Sequence, residues 1–310
     1  MSMMIPWRIV VFSNSTLSLP LITLLMQKQW LAGVVICEPQ SYQSQHLLSV
    51  LQNAAIPLFV FSPETAVPVK FWLGQREANL SLIFSFRYKL PVDVLEAVQF
   101  GTFNIHPSAL PMFRGPCPVF WQLKAGQVNS ALSIHRATDQ IDAGDIVIQQ
   151  AFQIHPLDNY GTLMNHVSQI APELVLELAK SIEQGKIAGV VQTGLSQYAP
   201  VPSVEDCRIR WQQMTASQIS NLCRACNGVF GGAFFVFNNQ QLRLIQATAA
   251  AYPAYGALPG TVVMVAEPEG VIIICNDGAV RLDVIAAAEG VFSAVAFAER
   301  YGLDAGMVLH

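Results

Sequence analysis

An α/β domain on a mostly parallel sheet, followed by a small β-barrel domain, is the fold class the sequence predicts. Three observations lead there. Over roughly the first two hundred residues, short β-branched runs alternate with helical patterns, as strand–helix–strand units require. Near residue 196 the segment SQYAPVPSVED, with two prolines among small polar residues, breaks that texture. Beyond Gly231 only short β runs remain, punctuated by Gly, Asn and Pro. The expected division is a first domain over 1–195, a linker over 196–206 and a barrel over 207–310.

The elements follow in order. Residues 8–12 form a short β-branched run and read as a buried strand; 17–30 read as a helix and 32–37 (AGVVIC) as a second strand. A helix over 45–55, a strand over 58–61, a strand over 80–85 (LSLIFS) and a helix over 91–98 come next. A strand over 103–105 must stop at Pro107, which lacks a ladder donor. Residues 118–125 read as helix, 130–136 and 145–154 as strands, and 163–185 as a long helix. In the last domain a helix over 215–224 starts at a capping box, Thr215 with Gln218. Strands are expected over 233–237, 242–247, 260–265, 271–275 and 280–285, with hairpin turns at Asn238-Asn239 and Asp277-Gly278.

Composition removes several function classes. Of the 310 residues 52% are hydrophobic and only 12% charged, so the chain has a core and is not disordered. A net charge of -4 supplies no global field for nucleic acid. Six cysteines without a paired framework do not make a disulfide scaffold, and Cys223 and Cys226 have the spacing of small apolar residues on a helix. The uncharged run between Arg8 and Lys28 is broken by Ser13, Asn14, Ser15, Thr16 and Pro20, which argues against a membrane span or a signal peptide. A cytoplasmic protein is expected.

The stretch FNIHPSALPMFRG carries the chemistry. Asn104 and His106 are two apart, so on an extended strand end both side chains project to one side. Open α/β sheets place their sites at such carboxyl ends. In SIHRATDQIDAGDI, Asp142 lies in a loop between two strand patterns and can face His106 if those strands are neighbours. Each piece alone is also compatible with an ordinary turn, and spacing leaves both readings open.

Asn104-Ile105-His106-Pro107-Ser108, Leu110-Pro111, Arg114-Gly115, Pro118 and Trp121, followed by His135, Asp142, Gly144 and Ile146, resemble the signature of the 10-formyltetrahydrofolate-dependent formyltransferase family. Tyr198-Ala199-Pro200, Ile209, Trp211 and Arg224-Ala225 resemble the junction with that family's carboxyl-terminal domain, a small barrel in Met-tRNA formyltransferase and in enzymes acting on UDP-4-amino-4-deoxyarabinose. The resemblance implies a Rossmann-like first domain, an OB-like barrel and 10-formyltetrahydrofolate as co-substrate without a metal. It implies Asn104, His106 and Asp142 as catalytic residues. Protonated His106 and the Asn104 amide would donate to the developing oxyanion, while Asp142 would favour the imidazolium and help take a proton from the amine. Folate would bind beside 84–91 and 136–142, with Phe84, Phe86, Arg87, Tyr88, Leu90, Ile141 and Asp142 as contacts; ordinary packing is the other reading of Phe86 and Tyr88. Ser108, Arg114, Gly115 and His135 are the expected substrate contacts, and His135 is equally readable as a structural histidine orienting the Asp142 loop.

The acceptor is expected to be a small or carrier-bound primary amine, such as an amino sugar nucleotide or an amino-acid-derived metabolite. Ser85-Phe86-Arg87-Tyr88 stands where tRNA enzymes have a glycine-bearing segment, and Glu38 to Ala55 contains no Lys or Arg. Residues 201–310 hold six Arg, no Lys and nine acids, too little positive charge for a phosphate backbone. A Met-tRNA formyltransferase and a non-catalytic folate- or nucleotide-binding module are the two alternatives.

Overall fold

A computed structural model describes residues 5–38 and 42–310. The chain forms two compact units. The first is Met1–Gly115, Asn129–Phe152 and Met164–Ala199; the second is Pro116–Val128, Gln153–Leu163 and Pro200–His310. In chain order the elements are β1 (Ile9–Phe12), α1 (Leu19–Gln27), β2 (Leu31–Cys37), α2 (Tyr42–Asn53), β3 (Leu58–Phe61), α3 (Ala66–Gln75), β4 (Leu80–Ile83), α4 (Val92–Leu95) and β5 (Thr102–His106). There follow α5 (Pro118–Lys124), β6 (Asn129–Arg136), β7 (Ile146–Gln153), α6 (Tyr160–Glu183), α7 (Ala216–Cys226), β8 (Ala233–Phe237) and β9 (Gln240–Ala250). The last are β10 (Val262–Ala266), β11 (Gly270–Cys275), β12 (Gly278–Ala287), β13 (Gly290–Ser293) and α8 (Ala294–Tyr301).

The first unit is built on a seven-stranded sheet of order β3-β2-β1-β4-β5-β6-β7. The pairs from β3 to β5 are parallel and β5 meets β6 antiparallel, so the sheet is mixed. The run IVVF of β1 is buried on both faces because the strand is central. Ile9 and Val11 enter one apolar cluster with Leu21 and Leu25 of α1, Leu47 of α2 and Val167 and Leu174 of α6. Val10 and Phe12 enter the opposite cluster with Val69 and Leu73 of α3 and Val94 of α4. Two helical layers thus sandwich the sheet, which is why period-two patterning is absent from its centre.

Helix α3 has no counterpart in the sequence expectations. Pro68 stands in its first turn, where the missing N–H would go unbonded anyway, and Val67 and Phe71 are exposed apolar residues. A proline and an apolar outer face erase the amphipathic signal.

The second unit carries a six-stranded antiparallel sheet along the path β10-β11-β12-β9-β8, with β13 on β12. The capping box opens α7 as expected: Gln218 N–H donates to Thr215 Oγ1 at 3.1 Å and Thr215 N–H to Gln218 Oε1 at 2.9 Å. Cys223 and Cys226 are fully buried on this helix. The chain's last residues tie both ends of the strand path. Val262 N–H of β10 donates to Met307 O at 2.8 Å, and Val236 of β8 exchanges hydrogen bonds with His310 at 2.6 and 3.2 Å. Strand β13 and helix α8 are further elements that the sequence reading did not assign. Among the described residues no helix is long and apolar enough to cross a membrane.

Candidate functional site

The site grows from one antiparallel pair. Register places Asn104 of β5 opposite His135 of β6, and His106 opposite Ser133. Alternation therefore puts four polar side chains on one face, while Phe103, Ile105, Leu132 and Ile134 point into the apolar core on the other. The polar face is buried too: His106, Ser133 and His135 are no more than 3% exposed. A buried polar group needs partners, and here each has them.

Asp142 is the hub. Its Oδ1 accepts from Asn104 Nδ2 at 2.8 Å and lies 3.3 Å from His135 Nε2. Its Oδ2 accepts from the Gly115 N–H at 2.8 Å and lies 3.4 Å from His106 Nδ1. The His106 ring is held from its other side by Nε2 at 2.9 Å from Phe113 O, and His135 Nδ1 lies 2.8 Å from Arg136 O. Both contacts to carbonyl oxygens require those nitrogens to carry hydrogen. His135 Nε2 is 3.2 Å from Asn104 Nδ2 and can accept its second hydrogen.

Charge follows from this packing. Burial raises the Asp142 carboxyl, but His106, His135 and the Gly115 N–H outweigh it and hold the group down at about 2. Complete burial lowers His106 despite the neighbouring carboxylate. Burial and the carboxylate thus act on the His106 ring in opposite senses, and both of its nitrogens lie against oxygen atoms. The expected oxyanion donors, the Asn104 amide and His106 Nε2, face protein oxygens in this structure.

Backbone strain concentrates at the same place. Phe113 at φ +59° and Asp142 at φ +52° occupy the left-handed region, which costs a residue with a Cβ roughly 1–3 kcal/mol. Gly144 cannot be replaced: a Cβ there would overlap the Arg136 carbonyl oxygen. Gly115, at φ +115°, would place a Cβ 2.8 Å from Ala199 O.

The other expected contacts divide. Ser108 is buried and donates to Met112 O at 2.7 Å, while its carbonyl accepts from Ser133 Oγ at 2.6 Å. Arg114 directs Nε and Nη2 onto Gln192 Oε1 at 2.9 and 2.7 Å. Phe84 and Leu90 belong to the core, at 1% and 3% exposure. Phe86 packs edge-on to Phe12 and beside Phe61, Tyr88 lies against Phe61, and the Arg87 guanidinium sits 5.8 Å over the Tyr88 ring. Phe86, Tyr88 and Ala137 border the same apolar cluster. Ile141 is 49% exposed beside the hub. A cavity of about 470 Å³ at the start of β5, lined by Leu95, Thr102, Arg136, Ala137 and Thr138 among others, takes part of the second expected folate segment and none of the first.

Sequence reasoning missed three members. Ser133 sits two residues before His135 on the same face, a period-two signal that was available. Gln149 Nε2 donates to Ser133 Oγ at 2.9 Å and to Leu110 O at 3.3 Å, tying β7 to the loop after Pro107. Gln192 comes from a segment without regular pattern.

Comparison with known proteins agrees with this architecture. Residues 7–178 match the family described as Formyl transferase, and residues 203–301 match Formyl transferase, C-terminal domain. In fold the chain is similar to HypX from Aquifex aeolicus in complex with tetrahydrofolic acid, at TM-score 0.67 and 20% identity over 97% of this chain and 48% of that one. It thus spans about half of HypX. It is similar to the N-formyltransferase from Helicobacter canadensis in complex with folinic acid and dTDP-3-aminofucose, at TM-score 0.66 and 19% identity over 92% and 100% of the chains. The methionyl-tRNA formyltransferase from Clostridium thermocellum follows at TM-score 0.58 and 12% identity over 79% and 94%. With more than half of its length matched by the family's first domain and most of the rest by the second, this chain belongs to the formyl transferase family.

Proposed function

We propose that the protein transfers a formyl group from 10-formyltetrahydrofolate to the primary amine of a small or carrier-bound substrate. The observation that carries this reading is the convergence of Asn104, His106 and Asp142 on one buried polar face, with a carboxylate oxygen 3.4 Å from the His106 ring. The reaction joins the amine nitrogen to the formyl carbon and breaks the bond from that carbon to the folate nitrogen. One proton leaves the amine and one reaches the folate nitrogen. Ionised Asp142 favours the imidazolium form of His106 and helps take the first proton, directly or through water. The Asn104 amide supports the oxyanion once it turns from Asp142. Phe86, Arg87, Tyr88, Ile141 and Asp142 are the proposed folate contacts, and Ser108, Arg114, Gly115 and His135 line the acceptor side. In this reading the first unit is the catalytic domain and the second a small OB-like barrel.

The charge pattern favours a small amine over tRNA. Six Arg and no Lys against nine acids in residues 201–310 leave little to neutralise phosphates. The intact Asn104, His106 and Asp142 set argues against a binding module without catalysis. The test is release of tetrahydrofolate from 10-formyltetrahydrofolate, with pooled amines, with Met-tRNA in a separate reaction, and with His106→Ala as control. Release that requires one small amine and disappears in His106→Ala supports the proposal. Release with Met-tRNA alone replaces the acceptor, and folate binding without release under any amine leaves an acceptor outside the pools or a binding module.

A further inference from the structure

Gln192 is the residue of the site that no motif announces. It lies outside every helix and strand of the first unit, two residues after Val190, whose backbone exchanges hydrogen bonds with Ile146 at 2.8 and 2.9 Å. That bridge anchors the segment to the start of β7. From there the Gln192 side chain fills its hydrogen-bonding capacity. Its Oε1 accepts from Arg114 Nε at 2.9 Å and Nη2 at 2.7 Å. Its Nε2 donates to Asp142 O at 2.9 Å and Gly144 O at 2.7 Å. The orientation of the amide is unambiguous, because the flipped form would aim two N–H groups at a guanidinium and an oxygen at two carbonyls.

These bonds close a loop through the hub. Arg114 precedes Gly115, whose N–H holds Asp142 Oδ2 at 2.8 Å; Gln192 grips Arg114 on one side and the Asp142 carbonyl on the other. Asp142 is therefore fixed by its side chain and by its backbone, and the backbone is in the left-handed region at φ +52°. A strained residue persists only where its surroundings over-determine it. Gly144, whose close approach to Arg136 tolerates no side chain, is fixed by the same amide.

We infer that Gln192 is a positioning residue: by clamping the Asp142 and Gly144 carbonyls to Arg114, it holds the Asp142 carboxylate against Gly115 and the two imidazoles. The role rests on the assignment of Asp142 to the catalytic machinery, but the geometry can be read without any acceptor. The experiment compares wild type with Gln192→Met, which keeps the volume and removes every hydrogen bond. Two signals are followed by NMR on the full chain: hydrogen exchange of the Gly115 amide, and the carboxyl carbon of Asp142 as pH falls. Exchange of core amides in β1 and β4 serves as the control for global stability. The expected result is loss of Gly115 protection on the order of tenfold and a rise of the Asp142 titration by about one unit, with the core amides unchanged. Gln192→Asn, which keeps the amide one methylene short, carries the same prediction at smaller size if the Met variant does not fold. Unchanged Gly115 protection and an unchanged Asp142 titration in a folded variant would overturn the inference. Because neither signal involves formyl transfer, a failure here is distinct from a failure of the proposed activity.

Discussion

The two faces of the β5–β6 pair are both largely buried and differ in chemistry. On one, Phe103, Ile105, Leu132 and Ile134 are 2% exposed or less and pack under α6. On the other, His106, Ser133 and His135 are 3% exposed or less, yet their polar atoms are engaged by Asp142, Phe113, Ser108, Gln149 and Arg136. The first face stabilises by removing apolar area from water. The second repays its desolvation with hydrogen bonds that roughly cancel against those lost to water, so its net contribution to stability is small. What that face gains is chemistry: a carboxylate held ionised within 3.4 Å of an imidazole. Substitutions on the two faces should separate stability from activity accordingly.

The largest effect is expected from Phe103→Ala on the apolar face. Leaving a cavity under α6 should cost about 3–5 kcal/mol of unfolding free energy in a denaturant titration, with turnover per folded molecule little changed. On the polar face, His106→Ala should lower turnover by roughly 10²–10⁴-fold while the thermal midpoint moves little. Equal effects of the two variants on both observables would erase the distinction. An intermediate effect concerns acid. A carboxyl whose folded pKa lies near 2, against an ordinary 3.8, stabilises the fold above its ordinary value, and that contribution is lost as pH falls from 3.8 toward 2. Roughly 2 kcal/mol should disappear over this window, and Asp142→Asn should flatten that part of the stability–pH profile. His106, lowered by burial, acts in the same direction at higher pH, because protonation below its ordinary value of 6.5 favours the unfolded chain. The smallest effect is expected from Gln149→Ala, which removes the hydrogen bond that Ser133 Oγ accepts, at a cost of about 1 kcal/mol, and should be visible only in a careful melt.

How far the sequence reaches can be judged from particular residues. The strands at 9–12, 31–37 and 80–83 were legible because a central parallel strand must be apolar on both sides. Asn104 and His106 were legible because Pro107 ends the strand and a spacing of two puts both on one side. Asp142 was legible as a loop carboxylate between two strand patterns, but its role came through the family resemblance, since nothing local announces its left-handed backbone. Helix α3 was hidden by Pro68 and by its exposed Val67 and Phe71. Gln192 was hidden for a deeper reason: its importance lies in carbonyls more than forty residues away in the chain, and a side chain serving distant backbone leaves no periodicity. The contribution of 116–128 and 153–163 to the second unit is likewise a tertiary fact without a local signal.

One measurement bears most directly on the claim that the polar face carries formyl transfer: single-turnover transfer from 10-formyltetrahydrofolate by Asp142→Asn, taken beside its thermal midpoint at pH 7. The account predicts a folded protein whose transfer rate falls by at least about a hundredfold. A folded Asp142→Asn protein that transfers at the wild-type rate would contradict it.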